Sequence, residues 1–467
     1  MSVDAQLSEL KKFLKNDQIS TDVQDLENYG RDWTRAFSPK PLAILFPQST
    51  HEVQLIVQWA ITYKESISLV PSGGRTGLSG GAVATKGEVV LSLQRMNKIG
   101  DLNEIDRLIS CEAGVVTQDL QEFVKNKGYF FPVDFASRGS SQIGGNISTN
   151  AGGTKVIRYG LMREWVAGLE VVTGAGEILK MDQALVKNNA GYDLKQLFIG
   201  SEGSLGIVTS AILKFTTPPE IPTVILLQSA KLDFSTEILK RFQSRLSLTA
   251  FEFFTQTALE KVLENQKTES APFQKSSPFY FLAEFEQKSD AVMDEALAIF
   301  DELKAEGLII DGTLSQNDQQ REKLWGYREN ISEALSKFKP YKNDISVKIS
   351  EIPEFVREVE VVLTKNFPKV DIIWFGHIGD GNLHINVIRQ ADQLDSDFEN
   401  ECKDISQKLF EVLKKFNGSI SAEHGIGLLK KPYLSLSRTP EEIQAMKQIK
   451  KVFDPHGILN PGKIFDL

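Results

Sequence analysis

Three glycine-rich loops constrain this chain more than any other feature. The first is Ser72-Gly73-Gly74-Arg75-Thr76-Gly77-Leu78-Ser79-Gly80-Gly81, five glycines in ten positions, entered through Pro71. The second runs from Pro132-Val133-Asp134 past Ser137-Arg138-Gly139-Ser140-Ser141 to Gly144-Gly145-Asn146-Ile147-Ser148-Thr149-Asn150-Ala151-Gly152-Gly153-Thr154. The third is Gly200-Ser201-Glu202-Gly203-Ser204-Leu205-Gly206-Ile207-Val208. Glycine loses more backbone freedom on ordering than any other residue, so ordered loops of this kind call for something to fold around. Backbone N–H groups turned inward make a concave anion nest. Small residues admit a flat ligand, and Asn and Thr offer hydrogen bonds to a heterocycle. One extended, phosphate-bearing cofactor accounts for all three. A plain flexible connection remains the other reading of any one loop taken alone.

The flanks of the first loop exclude the two commonest phosphate-binding arrangements. Ile67-Ser68-Leu69-Val70-Pro71 reads as a strand entering it, and Val89-Val90-Leu91-Ser92-Leu93 as a strand leaving it. No Gly-Lys-Ser/Thr closes the loop, so it is not a Walker sequence. No helix opens from it, as a dinucleotide fold requires. Upstream, Ala43-Ile44-Leu45-Phe46-Pro47 is a short buried strand. Ser49-Thr50-His51-Glu52 then starts a helix with apolar spacing at Val53, Ile56, Val57 and Ala60.

A net charge of −9, with no Lys/Arg block, argues against a nucleic-acid partner. The two cysteines, Cys111 and Cys402, make neither a metal spacing nor a disulfide framework. The charged N-terminus lacks an apolar core of signal-peptide length, and no run of about 18 apolar residues occurs. The expectation is a cytoplasmic protein, at most peripheral to the inner membrane. At 467 residues the chain has room for two or three domains.

Two of the five histidines lie in Trp374-Phe375-Gly376-His377-Ile378-Gly379-Asp380-Gly381-Asn382-Leu383-His384-Ile385-Asn386. Asp-Gly between an apolar and an alternating run signals a two-residue hairpin turn. That turn predicts His377 opposite His384, about 4.5–5.5 Å apart at Cβ, a separation that suits two imidazoles on one metal ion. Ser421-Ala422-Glu423-His424-Gly425 offers Glu423 as a third ligand. A His-His-Glu set leaves a coordination position open for catalysis. Core histidines in a Gly-rich turn are the other reading. Glu322 to Lys337 reads as one helix, with Arg328 inside its apolar stripe and Ser332 one turn later on the same flank. A buried arginine needs a carboxylate partner or a wet pocket.

Together these segments have a specific likeness. The loops around residues 71–81, 144–153 and 200–207 resemble the FAD-binding half of the vanillyl-alcohol-oxidase flavoprotein superfamily. His-Ile-Gly-Asp-Gly-Asn-Leu-His, Ser-Ala-Glu-His-Gly and the terminal Asp454-Pro455-His456-Gly457-Ile458-Leu459-Asn460-Pro461-Gly462-Lys463 resemble its FAD-linked D-2-hydroxyacid dehydrogenases. That group contains D-lactate, glycolate and D-2-hydroxyglutarate dehydrogenases. The likeness covers residues 40–467 and implies an α+β chain: a two-part FAD-binding domain (1–218), an inserted ferredoxin-like antiparallel substrate domain (219–420) and a C-terminal return (421–467). Pro218-Pro219 marks the first boundary.

The resemblance implies FAD held non-covalently by Pro71, Gly73, Gly74, Arg75, Thr76, Gly77, Ser79 and Gly80 of the first loop. From the second it implies Asp134, Ser140, Gly144, Gly145, Asn146, Thr149, Asn150, Gly152 and Gly153, and beyond it Glu202, Gly206, Ile207 and Asn460. It implies Zn2+ (or Mn2+ or Fe2+) on His377, His384 and Glu423, with His424 as the base, hydride transfer from C2 to flavin N5, and Asn386 orienting substrate or a ligand. The stretch around Arg328, Ser332 and Lys342 looks most like the 2-hydroxyglutarate members, in which an Arg, a Thr and a Lys bind the substrate. Here Ser332 stands for the Thr, and Lys348 is a departure from the apolar strand of the relatives. D-lactate or glycolate as substrate, a catalytically silent flavin subunit, and a flavin reductase of cell-wall precursors are the rival readings. The implied partners are a small D-2-hydroxy acid, an electron acceptor (quinone, electron-transfer flavoprotein or cytochrome) and a second copy in a homodimer.

Overall fold

The β-branched and leucine-rich runs of the N-terminal third become strands, as their side chains pack best on a pleated surface. In the computed structural model, which describes residues 2–266, 270–389 and 393–467, these are β1 (Ile19–Ser20), β2 (Ala43–Leu45), β3 (Leu69–Ser72) and β4 (Val89–Ser92). They form a sheet in the order β1-β2-β4-β3. β2 and β3 both run parallel to β4. Every residue of β2 and β4 is buried, as a parallel strand covered on both faces requires. The crossover from β2 to β3 is the helix Thr50–Thr62. It starts where the Ser49 hydroxyl accepts from the Glu52 N–H at 3.2 Å and buries Val53, Ile56, Val57 and Trp59. A second sheet holds β5 (Ile99–Asn103), β6 (Leu108–Glu112), β7 (Val166–Thr173), β8 (Ile178–Met181) and β9 (Gly206–Lys214), antiparallel in the order β5-β6-β9-β7-β8. The C-terminal tail returns to β3: Leu69 donates to the Ile458 carbonyl at 2.8 Å, and Asn460 donates to the Leu69 carbonyl at 2.7 Å. These parts make one compact unit, Met1–Gly153, Gly160–Pro218 and Glu423–Leu467.

The other compact unit is Thr154–Tyr159 with Pro219–Ala422. It opens with β10 (Ile221–Ser229), the helix Ser235–Arg245, β11 (Leu248–Thr255), β12 (Phe279–Gln287), the helix Asp290–Ala305 and β13 (Asp311–Leu314). The order β13-β10-β12-β11 is the ferredoxin-like arrangement. Three more strands extend it beyond β11, namely β14 (Tyr341–Ser346), β15 (Asp371–Gly376) and β16 (Asn382–Ile388). The result is a seven-stranded, wholly antiparallel sheet, β13-β10-β12-β11-β15-β16-β14.

The single helix expected over 322–337 is two, Asp318–Glu329 and Ile331–Ser336. Asn330 stands between them, ending the first and preceding the second without a side-chain cap. An asparagine side chain competes with the helix ladder, which favours a break there. Among the described residues no helix is long and apolar enough to cross a membrane.

Candidate active site

In the first unit the three glycine-rich loops converge on one cleft. Residues 71–77 and Ser79 line it from the first loop, Gly144, Gly145, Asn146 and Thr149 from the second, and Glu202, Gly206 and Ile207 from the third. Gly73 and Gly145 show what their lack of a side chain serves. An added Cβ at Gly145 would meet nothing within 4 Å, and at Gly73 its nearest neighbour would be 3.6 Å away. Protein packing does not demand glycine at either place, whereas a ligand lying against the backbone does. Buried Ser72 Oγ and Gln142 Oε1, both from cleft-lining residues, have no hydrogen-bond partner among the described residues. A polar, heterocycle-bearing cofactor such as FAD fits this cradle. His424 also lines it.

The remaining residues expected to hold the cofactor shape the loops and do not line the cleft. Gly80 donates its N–H to Asp32 at 2.8 Å. The carbonyls of Ser140 and Asp134 press against Gly74 and Gly153, where an added Cβ would lie 2.0 and 1.9 Å from them; Gly152 is buried beside Gly153. Asn150 sits in the left-handed region at φ 51° and accepts from the Arg163 N–H at 2.9 Å. The Asn460 amide bridges two loops, donating to the Gly81 carbonyl at 2.9 Å and the Glu202 carbonyl at 2.7 Å. Glu202, although at the cleft wall, directs its carboxylate to the backbone N–H groups of Ile426 (2.6 Å) and Gly427 (2.8 Å). Burial pushes its pKa up against the pull of those two donors.

In the second unit β15 and β16 pair with Phe375 opposite His384 and Trp374 opposite Ile385. The two-residue Asp-Gly turn would instead have set His377 opposite His384. The actual register differs by two residues, and the connection takes in residues 377–381. The cause is tertiary: Gly379 donates to the Phe251 carbonyl of β11 at 2.9 Å, and Asp380 accepts from the Asn382 N–H at 3.1 Å. A slip of two residues keeps side-chain parity. Both imidazoles therefore share one face, with ring centroids 5.2 Å apart.

Each imidazole has a carboxylate at Nδ1. His377 Nδ1 is 2.8 Å from Glu252 Oε1, and His384 Nδ1 is 3.8 Å from Asp344 Oδ1. Asp344 also accepts from the Asn382 amide at 2.8 Å. The Glu252 contact is within hydrogen-bond distance and fixes the His377 ring, whereas the Asp344 contact is electrostatic only. Arg328 is only 6% exposed. Its Nη2 lies 2.9 Å from Glu252 Oε2, and its guanidinium sits over the Phe375 ring at 4.9 Å. The Glu252 contact is an ion pair without hydrogen-bond angles, and Arg328 Nε and Nη2 have no hydrogen-bond partner among the described residues. Burial alone would raise the Glu252 carboxyl, but His377 and Arg328 outweigh it and hold the pKa below the usual carboxylate value. Neighbouring Asp380 goes the other way: burial pushes it up to about 6 against the pull of His377.

Asn386 is buried, pairs across the ladder with Lys342, and leaves its Nδ2 without a partner among the described residues. Lys342 reaches the surface, yet partial desolvation of its ammonium lowers its pKa. Ser332 is exposed on the second short helix, beyond the break from Arg328. Lys348 is a surface residue paired with Glu351 at 3.3 Å.

Glu252 and Asp344 were not anticipated. Glu252 had a legible signal, a lone carboxylate inside the apolar strand Leu248–Thr255.

Comparison with known proteins places these two units. Residues 41–182 match the FAD binding domain family, and residues 219–464 match the family of FAD linked oxidases, C-terminal domain. The chain is 50% identical over 466 residues to a D-2-hydroxyglutarate dehydrogenase of Stutzerimonas stutzeri, covering 100% of both chains. It is 36% identical to a putative mitochondrial D-lactate dehydrogenase of Schizosaccharomyces pombe, covering 95% of this chain and 85% of that one. In fold it is similar to the 4-ethylphenol oxidase of Gulosibacter chungangensis, with a TM-score of 0.78 at 19% identity over 100% of this chain and 98% of the other. The chain has the fold of the vanillyl-alcohol-oxidase-type flavoproteins and belongs to the FAD-linked D-2-hydroxyacid dehydrogenases, oxidoreductases acting on CH–OH groups.

Proposed function

We propose that this enzyme oxidises D-2-hydroxyglutarate to 2-oxoglutarate. The observation that carries the choice of substrate is Arg328, a buried guanidinium with N–H groups lacking hydrogen-bond partners, on the same unit as the two histidines. A buried, unsatisfied arginine is costly unless an anion answers it, and its planar fork suits a carboxylate. D-2-hydroxyglutarate has a second carboxylate for it, whereas D-lactate and glycolate do not. The relative of 50% identity bears the same substrate in its name.

In this reading His377 and His384 hold a divalent cation. Glu423 is the third ligand, one peptide bond beyond Ala422, whose N–H is 3.4 Å from the Asp344 carbonyl on the strand beside His384. Zn2+ suits imidazole and carboxylate ligands, with Mn2+ and Fe2+ as further candidates. A cation there supplies Lewis acidity that lowers the pKa of a bound hydroxyl. FAD, held without a covalent link, supplies the acceptor for the C2 hydride. His424 takes the hydroxyl proton, so the substrate loses two electrons and two hydrogens and becomes the 2-oxo acid. Asn386 orients the 2-hydroxy acid end, while Arg328, Lys342 and Ser332 hold the distal carboxylate. Reoxidation of the flavin would require an external acceptor, a quinone, an electron-transfer flavoprotein or a cytochrome.

One observation favours a second reading. Arg328 already faces Glu252, and if that pair is purely structural, D-lactate is the better substrate.

Steady-state rates with a dye acceptor separate the two. We expect D-2-hydroxyglutarate to give the higher kcat/KM, and Arg328→Ala to raise its KM at least tenfold while leaving D-lactate little changed. His384→Ala should lose metal and turnover yet keep its flavin. Equal effects of Arg328→Ala on both substrates, or full activity of His384→Ala without metal, refute the assignment.

A further inference from the structure

We infer that Glu252 is a positioning residue that ties the metal ligand His377 to the substrate arginine Arg328. The inference rests on the proposed roles of those two residues and deepens them. One carboxylate serves both: Oε1 faces His377 Nδ1 at 2.8 Å, and Oε2 faces Arg328 Nη2 at 2.9 Å. Glu252 is 1% exposed and sits in the middle of β11, in Phe251-Glu252-Phe253-Phe254.

Stability does not account for it. Burying a charged pair is often no better than an apolar pair of the same volume. The neighbouring Glu284 shows what a carboxylate built for stability looks like on this sheet. It is met by Lys155, by the Thr249 hydroxyl and by the Trp325 indole N–H at 2.7 Å. Glu252, by contrast, has an oxygen with no well-angled hydrogen bond, and the guanidinium opposite is equally unsatisfied. That geometry aligns two groups without saturating either. With Nδ1 turned to Glu252, ligation of a cation by His377 would use Nε2. Holding Arg328 by one nitrogen leaves Nε and the rest of the fork for an anion. A substitution at Glu252 therefore disturbs two functions that separate residues perform.

The test uses the flavin-loaded full chain and two readouts, Zn2+ affinity by competition with a chromophoric chelator, and KM for D-2-hydroxyglutarate against D-lactate. In Glu252→Gln the amide can accept from His377 or present an oxygen to Arg328, but its NH2 then opposes the other donor. We expect Zn2+ affinity to fall 10- to 100-fold and the KM of D-2-hydroxyglutarate to rise at least fivefold more than that of D-lactate. Should that variant not fold, the double variant E252Q/R328M leaves no buried charge unpaired and should lose Zn2+ affinity by the same factor. His384→Ala is the control. If it loses Zn2+ while Glu252→Gln binds it unchanged, the coupling by Glu252 is refuted and the metal site stands. If His384→Ala binds Zn2+ like the unsubstituted protein, the metal site falls and the inference with it. Equal rises in KM for both substrates also refute the link to Arg328.

Discussion

Burial decides the chemistry of single residues throughout this chain, and the cysteines are the simplest case. Cys111 and Cys402 are both buried, and burial pushes both thiols up to about 12. A thiolate is the reactive species, so neither should react at neutral or mildly alkaline pH. A colorimetric thiol titration at pH 8 should find no fast-reacting thiol in the native protein and two per chain in denaturant. A thiol that reacts within seconds under native conditions would contradict that burial. The histidines and Arg328 were legible as candidates because glycine flanks and an apolar stripe made them anomalous. Their partners were not, because Glu252 and Asp344 come from strands distant in sequence, and only the sheet brings them to His377, Arg328 and His384. Asn460 and Glu202, expected as cofactor contacts, also brace the loops of the cleft, which Glu202 lines, through partners distant in sequence.

Among the elements, the β15–β16 hairpin carries both imidazoles, and its register was the least legible local feature. The strands and the Asp-Gly signal were readable. The pairing was set by the hydrogen bond from Gly379 to Phe251 on β11, which no local turn rule contains. Gly381 now ends a longer connection at φ 89°, and an added Cβ would lie 2.3 Å from the Val347 carbonyl oxygen. Gly381→Ala combines a left-handed strain of about 1–2 kcal/mol with a clash against backbone. It should destabilise the second unit by roughly 2–4 kcal/mol in total. Because the hairpin positions His377, the same variant should hold Zn2+ more weakly while its flavin content stays unchanged. Thermal unfolding and chelator competition measure the two effects. An unchanged melting temperature would mean that the connection relaxes freely and that its geometry does not matter to the imidazoles.

At the scale of the whole molecule, the division at Pro218-Pro219 was marked by a strand followed by a proline-rich link. What no sequence pattern announced is that Thr154–Tyr159, flanked on both sides by the flavin-cleft unit, packs with the other unit. Its short helix Val156–Tyr159 is too brief for periodicity to reveal a partner. Charge is the anchor instead. Lys155 meets the buried carboxylate of Glu284 and lies over the Trp325 ring at 4.7 Å, and Arg158 is 3.7 Å from Glu286. Burial alone would raise the pKa of Glu284, but Lys155 is the largest of the groups that hold it below the usual value. Removing one member of such a pair leaves a charge in the core, a loss of about 3–5 kcal/mol for fully buried pairs. Because Lys155 is 22% exposed, the lower end of that range is expected for Lys155→Met. The double variant K155M/E284Q removes both charges and should be milder than Lys155→Met alone, a non-additivity that identifies the pair as the anchor. The segment follows the second glycine loop without interruption. A fragment of residues 219–422 expressed without it should therefore unfold at lower denaturant than one to which residues 154–159 are restored. Denaturant midpoints of the single and double variants decide the matter, and additive losses would show that Lys155 and Glu284 act independently, leaving the six-residue segment without an electrostatic role in holding the second unit together.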